Sequence, residues 1–126
     1  MYKKYSKKIV NIKKLIDHKK KNRNKKFIMC HGVFDIVHPG HIRHLIYAKQ
    51  KADILVVSIT SDVHIKKGIY RPHVPENLRA INLAAFELVD FVIIDRNAEP
   101  YQLLKSLKPD YFAKGFEYTQ TKNVKT

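Results

Sequence analysis

The chain is short of the residues that build specialised scaffolds. A single cysteine, Cys30, excludes a disulfide framework. Four glycines and five prolines in 126 residues exclude collagen-like and mucin-like repeats. A lone thiol suits a reducing compartment, so the expected location is the cytoplasm. The longest apolar runs, such as Ile54 to Val57 and Phe91 to Ile94, fall far short of the ~20 residues that a membrane span needs. The charged N-terminus has no apolar stretch behind it, which argues against a signal peptide or an anchor. Acids are scarce at one end only: residues 1–26 hold 12 Lys/Arg against Asp17 alone, whereas residues 27–126 hold 13 against 10. The net charge of +14 is therefore mostly local. Such a Lys-rich lead-in could screen any polyanion, but it lacks the Arg and aromatic interleaving of base readout. It reads as a solvated basic surface and argues against nucleic acid as the partner.

What is present suits one globular domain: 44% of the residues are hydrophobic, and 7 Tyr and 6 Phe can fill a core. Two parts are expected, a basic lead-in over residues 1–26 with a short helix, and a domain over residues 27–126. In the lead-in, Ile9, Ile12, Leu15 and Ile16 fall on one helical stripe, with Asn11 placed as its N-cap. Phe27 to Cys30 is a short buried strand ended by Gly32. A helix opens at Pro39 and runs to about Ala52, and Ile54 to Ile59 is a second continuous apolar run of the kind that parallel strands display. From Ser61 to Pro75 no period is sustained, so this is a long loop, and long loops in compact domains tend to be functional. Pro75 opens a helix whose buried side is Leu78, Ile81, Leu83, Ala84, Ala85 and Leu88. Phe91 to Asp95 is a strand, Glu99 to Leu107 a helix and Tyr111 to Ala113 a last strand. This alternation predicts an α/β domain with a mainly parallel sheet and right-handed crossovers.

In such sheets ligands lie beyond the carboxyl ends of the strands. That directs attention to His31-Gly32-Val33-Phe34-Asp35-Ile36-Val37-His38-Pro39-Gly40-His41, after the first strand. Gly32 permits close approach of backbone, Pro39 and Gly40 start a helix, and a helix N-terminus offers N–H groups and partial positive charge to an anion. Two imidazoles flank that terminus. The four histidines His31, His38, His41 and His44 also invite a zinc reading, but no Cys or carboxylate is spaced to complete a structural site.

The stretch GVFDIVHPGH, residues 32–41, resembles the signature of the HxGH nucleotidyltransferases, the cytidylyltransferase-like superfamily. ITSD at 59–62, RPHVPENLRA at 71–80 and KGFEY at 114–118 resemble further segments of that family in order and spacing. The likeness runs from about Lys8 to the end of the chain. It is strongest to the adenylyltransferase domain that makes ADP-heptose from heptose 1-phosphate, with glycerol-3-phosphate cytidylyltransferases second. The family's Ser/Thr-rich C-terminal element has no counterpart before Thr126.

The resemblance implies a Rossmann-like three-layer sandwich of the HUP type. It implies transfer of a nucleoside monophosphate from ATP or CTP to a small phosphorylated sugar or polyol, with release of pyrophosphate and with Mg2+ as cofactor. Relatives of this kind pair as homodimers. His38, His41 and Lys49 are then the catalytic candidates, the histidines donating hydrogen bonds to phosphate oxygens rather than acting as bases. Val33 and Phe34 would present backbone N–H groups to the nucleotide. Gly32, Gly40, Asp62 and Arg79 fall on nucleotide-binding positions, Arg79 as a bidentate phosphate ligand. Asp35 would hold its loop or a metal-bound water. Lys114 and Gly115 would border the base or ribose, and Lys66, Lys67 and Arg71 would take the acceptor's phosphate. Taken singly, Arg79 also suits an ion pair with an acid such as Glu76, and Asp62 a cap or turn. A competing class is a non-catalytic nucleotide- or nucleic-acid-binding module that keeps the phosphate cradle alone.

Overall fold

A computed structural model describes residues 3–65 and 72–113. Of the expected site residues, Lys66, Lys67, Arg71, Lys114 and Gly115 lie outside the described residues. A one-turn helix α1 (Lys3–Ser6) precedes α2 (Ile12–Lys21), followed by β1 (Phe27–Gly32), α3 (Pro39–Lys51) and β2 (Ile54–Thr60). A 3-10 turn at Asp62–His64 leads on to α4 (Glu76–Ala84), β3 (Phe91–Asp95), α5 (Tyr101–Leu107) and β4 (Tyr111–Ala113). The four strands form one sheet in the order β3-β2-β1-β4, and every pairing is parallel. Ile28 stands opposite both Leu55 and Tyr111, and Val57 opposite Val92.

The continuous apolar runs in β1 and β2 are explained by burial on both faces of the sheet. Alternate residues serve different layers. Ile28 and Cys30 join Leu55, Val57 and the inward residues of α3 and α4, namely Leu45, Ala48, Ala80, Leu83 and Ala84. Phe27 and Met29 join Val56 and Ile93 under Leu15 of α2 and Leu103 and Leu107 of α5. The result is the three-layer α/β/α arrangement expected for a Rossmann-like fold. Burial also pushes the Cys30 thiol up to about 12, so this cysteine packs as a small apolar group.

The basic lead-in packs along the β3 edge. Ile9 is not helical as its spacing suggests; it forms a parallel bridge with Val92, whose N–H and C=O engage Lys8 O at 2.8 Å and Val10 N at 2.9 Å. Sheet pairing of this backbone overrides the helical stripe. Asn11 does cap α2, its Oδ1 accepting from Lys14 N at 2.9 Å. The other correction concerns α4, which ends at Ala84: Leu83 and Ala84 face inward as expected, but Leu78 is exposed and Arg79 is wholly buried. The reason is that Arg79 finds four acceptors inside.

Candidate active site

Two crossovers, α3 and α4, carry the chain from β1 to β2 to β3 along one face. α5 then returns it along the other face to β4, beside β1. The direction of winding therefore reverses between β1 and β4, and their carboxyl ends border the crevice where such sheets bind ligands. The loop that leaves β1 at this point leads into α3.

Its conformation is set by packing. Phe34 is buried with φ 50°, a left-handed backbone that a bulky residue adopts only when its surroundings impose it. Its ring lies over Gly32, where an added Cβ would sit 2.9 Å from Phe34 Cε2. The other side of the ring meets His41, with centroids 5.1 Å apart. Gly32 is thus needed for the Phe34 ring, whereas the sequence suggested that it makes room for a ligand. Asp35 is also buried, and its two oxygens accept from His73 N and Val74 N at 2.9 Å each, which clamps the segment before α4 against this loop.

The start of α3 carries the histidine pair. His38 is the N-cap, and its Nδ1 accepts from Gly40 N at 3.0 Å. His41 reaches back, and its Nδ1 accepts from His38 N at 3.2 Å. This is a capping box built from two imidazoles, and the rings stack with centroids 3.9 Å apart. A ring nitrogen that accepts carries no proton, so each neutral ring holds its proton on Nε2. His41 is held below the usual imidazole value of 6.5 by burial, then by His38 and His44. It is therefore neutral near pH 7 and offers Nε2–H as a donor. One expectation changes here. The amide of Gly40 is consumed by the cap, and His41 N bonds His38 O at 2.9 Å. These amides therefore do not face a ligand directly.

Arg79 is placed differently from its expected role as a phosphate ligand. It is 0% exposed; its Nε donates to Val74 O, its Nη1 to Val33 O and Thr60 O, and its Nη2 to Asp62 Oδ1 at 2.6 Å. Four acceptors around five N–H donors leave no bidentate face for a phosphate. The guanidinium instead ties the ends of β1 and β2 to the residues preceding α4. Because the Val33–Phe34 peptide is trans, the Val33 carbonyl that points to Arg79 requires the Phe34 N–H to point away from it. Asp62 completes the tie: its Oδ2 accepts from Glu76 N, and Glu76 Oε1 accepts from Asp62 N at 2.8 Å. That backbone bond chiefly holds the Glu76 carboxyl below its usual range, helped by Arg96.

Lys49 is also corrected. It lies eleven residues beyond His38, about 16 Å along the helix at ~1.5 Å per residue, at the opposite end of the sheet. There it ion-pairs with Asp90 at 2.7 Å and donates to Asp53 O. A rigid helix prevents it from reaching the imidazoles.

The sequence reading missed His31 as a site residue. It lies at the end of β1 on the α5 face, with Nδ1 2.5 Å from Ser58 Oγ and Nε2 3.3 Å from Thr60 Oγ1. Burial lowers its pKa, opposed by the charges of Asp95 and Glu99. Beside it opens a cavity of about 250 Å³. The alternation of β1 could have placed His31 on the face of Phe27 and Met29, but Ser58 and Thr60 join it only through the β1–β2 register. Among the described residues no three His, Cys, Asp or Glu side chains gather so as to hold a metal ion.

The parallel sheet order and the helices on both of its faces define a Rossmann-like α/β domain. The chain belongs to the cytidylyltransferase-like family, whose model matches residues 29–126. It is similar to the bifunctional protein HldE of Campylobacter jejuni (strain RM1221), 45% identical over 116 residues, which cover 90% of this chain and 25% of that protein. With HldE of Helicobacter pylori (strain G27) it is 40% identical over 113 residues, 88% of this chain and 24% of that one. The chain thus spans about a quarter of the length of these curated relatives. A lipopolysaccharide core biosynthesis protein from Thermoplasma volcanium GSS1 superimposes with a TM-score of 0.61 at 30% identity, over 70% of this chain and 72% of that one.

Proposed function

We propose that the chain transfers a nucleoside monophosphate from a nucleoside triphosphate to a small phosphorylated sugar, a heptose 1-phosphate by preference, and releases pyrophosphate. ATP is the favoured donor and CTP the competing one. The observation that carries this reading is the imidazole capping box. It fixes two Nε2–H donors side by side at the N-terminus of α3, beside the crevice between β1 and β4.

The acceptor's phosphate oxygen attacks the α-phosphorus in line; a new P–O bond forms as the bond to the β-phosphate's bridging oxygen breaks, and the electron pair leaves with pyrophosphate. An ionised phosphate needs no base, so the protein's task is positioning and stabilising spread negative charge. The Nε2–H groups of His38 and His41 serve as preorganised donors, which gain most as charge accumulates. Phe34 N–H, turned outward by the hold of Arg79 on Val33 O, is a third. Magnesium is the cofactor this reading implies, and when bound it would neutralise phosphate charge. Asp35 belongs to the scaffold, and Asp62 and Arg79 position the loop from below. A homodimer in the cytoplasm is the assembly and location this reading favours; no described helix is long and apolar enough to cross a membrane.

The test is pyrophosphate release with ATP or CTP and a panel of sugar 1-phosphates. His41→Ala should lower turnover by about 10²- to 10³-fold, the usual worth of one such donor, with the circular dichroism spectrum unchanged. Nucleotide binding without release from any pair would favour the binding module over the enzyme. Equal turnover in His41→Ala would end the proposed role of the pair.

A further inference from the structure

The cavity beside His31 lies between the ends of β1, β2 and β4 and the start of α5, and the imidazole cap plays no part in its lining. Its volume is about 250 Å³. That is room enough for one monosaccharide. Val33, Tyr101 and Phe112 give it apolar and aromatic wall, while His31, Thr60 and Glu99 give it polar atoms. Among the described residues that line it there is no Lys or Arg, and Glu99 is the one acid. The Glu99 carboxylate and the Thr60 hydroxyl suit a neutral body that carries hydroxyls. Thr60 is well prepared for such a body. Its carbonyl is fixed by Arg79 Nη1 at 2.8 Å, and its hydroxyl ends a hydrogen-bonded chain from buried Ser58 through His31. That chain runs in either direction, so Thr60 presents a donor or an acceptor as the ligand requires. Val33 links the cavity to the reaction centre: it lines the cavity and directly precedes Phe34, whose ring touches His41.

We propose that this cavity receives the uncharged, hydroxyl-bearing body of the acceptor, a sugar ring or polyol, and that Thr60 and Glu99 select it by its hydroxyls while its phosphate projects toward the histidines. This rests on the nucleotidyl-transfer reading above and adds where acceptor specificity resides. Thr60→Val keeps the side-chain shape and removes the hydroxyl; Glu99→Gln keeps the shape and removes the charge. Each should raise KM for the sugar 1-phosphate about tenfold, through one lost ligand hydrogen bond at Thr60 and lost charge assistance to one at Glu99, and leave KM for the triphosphate unchanged. A second measurement needs no turnover. Titration with mannose 1-phosphate should produce saturable shifts in the methyl resonances of Ile65 and Ala98, which line the cavity, weakened in both variants, and ATP alone should not. If ATP moves those resonances, if the variants raise only the triphosphate KM, or if mannose 1-phosphate leaves the methyls unmoved, the assignment is overturned. Saturable methyl shifts without pyrophosphate release from any substrate pair would support the sugar cavity and reject the transfer reading. Pyrophosphate release with an unchanged acceptor KM in both variants would do the reverse.

Discussion

Replacing Arg79 by alanine distinguishes a guanidinium that holds the site together from one that holds a ligand. The side chain is wholly buried and serves the carbonyls of Val33, Thr60 and Val74 as well as Asp62. A buried acceptor left without its donor costs ~1–3 kcal/mol, so the three carbonyls account for at least ~3 kcal/mol. The Asp62 side chain is 37% exposed, so water recovers much of its loss; its share is nearer ~1 kcal/mol, below the ~3–5 kcal/mol of a fully buried broken pair. The sum, ~4 kcal/mol, is a large part of the ~5–15 kcal/mol that keeps a domain folded. With a urea m-value of ~2 kcal/mol/M, the unfolding midpoint of Arg79→Ala should fall by about 2 M. The assay is urea unfolding followed by far-UV circular dichroism, with ATP binding measured well below the transition. Arg79→Lys should recover only part of the loss, since one ammonium cannot reach four divergent acceptors. A midpoint within about 0.5 M of the parent, together with lost ATP binding, would refute the structural role and return Arg79 to the phosphate.

Lys49→Ala removes a half-exposed ion pair with Asp90 at the far end of α3, so it should cost less than about 1 kcal/mol in urea unfolding and leave pyrophosphate release unchanged; a drop in turnover of tenfold or more would mean that Lys49 reaches the reaction. The pH dependence has a definite sign. His31 and His41 both titrate below the usual 6.5 when folded, chiefly through burial, so the unfolded chain binds more protons between the folded and unfolded values. Stability should be fully present above pH 6.5 and be lost as pH falls through the folded values, and Glu76 should add a loss of the same sign below its usual 4.5. Urea midpoints measured from pH 7.5 downward check this; a midpoint that rises on acidification through this range contradicts the placement of both histidines.

The helix and strand order was largely legible because each cue is local. Unbroken apolar runs at Phe27 to Cys30 and Ile54 to Ile59 need cover on both faces, and that need alone selects a parallel sheet between helices. Pro39 suits the first turn of a helix, and His38 its cap, so the site could be found from the order of residues in GVFDIVHPGH. The position of Lys49 was within reach too, since helix rise by itself separates it from His38. Other features depend on neighbours brought from elsewhere in the chain. Periodicity counts apolar residues, so it placed Leu83 and Ala84 inward correctly but Leu78 with them; Arg79 faces in instead because β1, β2 and the segment before α4 converge their carbonyls on one point. Gly32 is required by a ring two residues away that folds back over it. The histidines show in the sequence as two possible donors, but which nitrogen of each carries the proton is decided by the amides that the other nitrogen accepts. Local sequence thus determined the elements and the motif, whereas the bonding duties of the polar side chains were decided by tertiary structure, because a hydrogen bond depends on where its partner arrives in space.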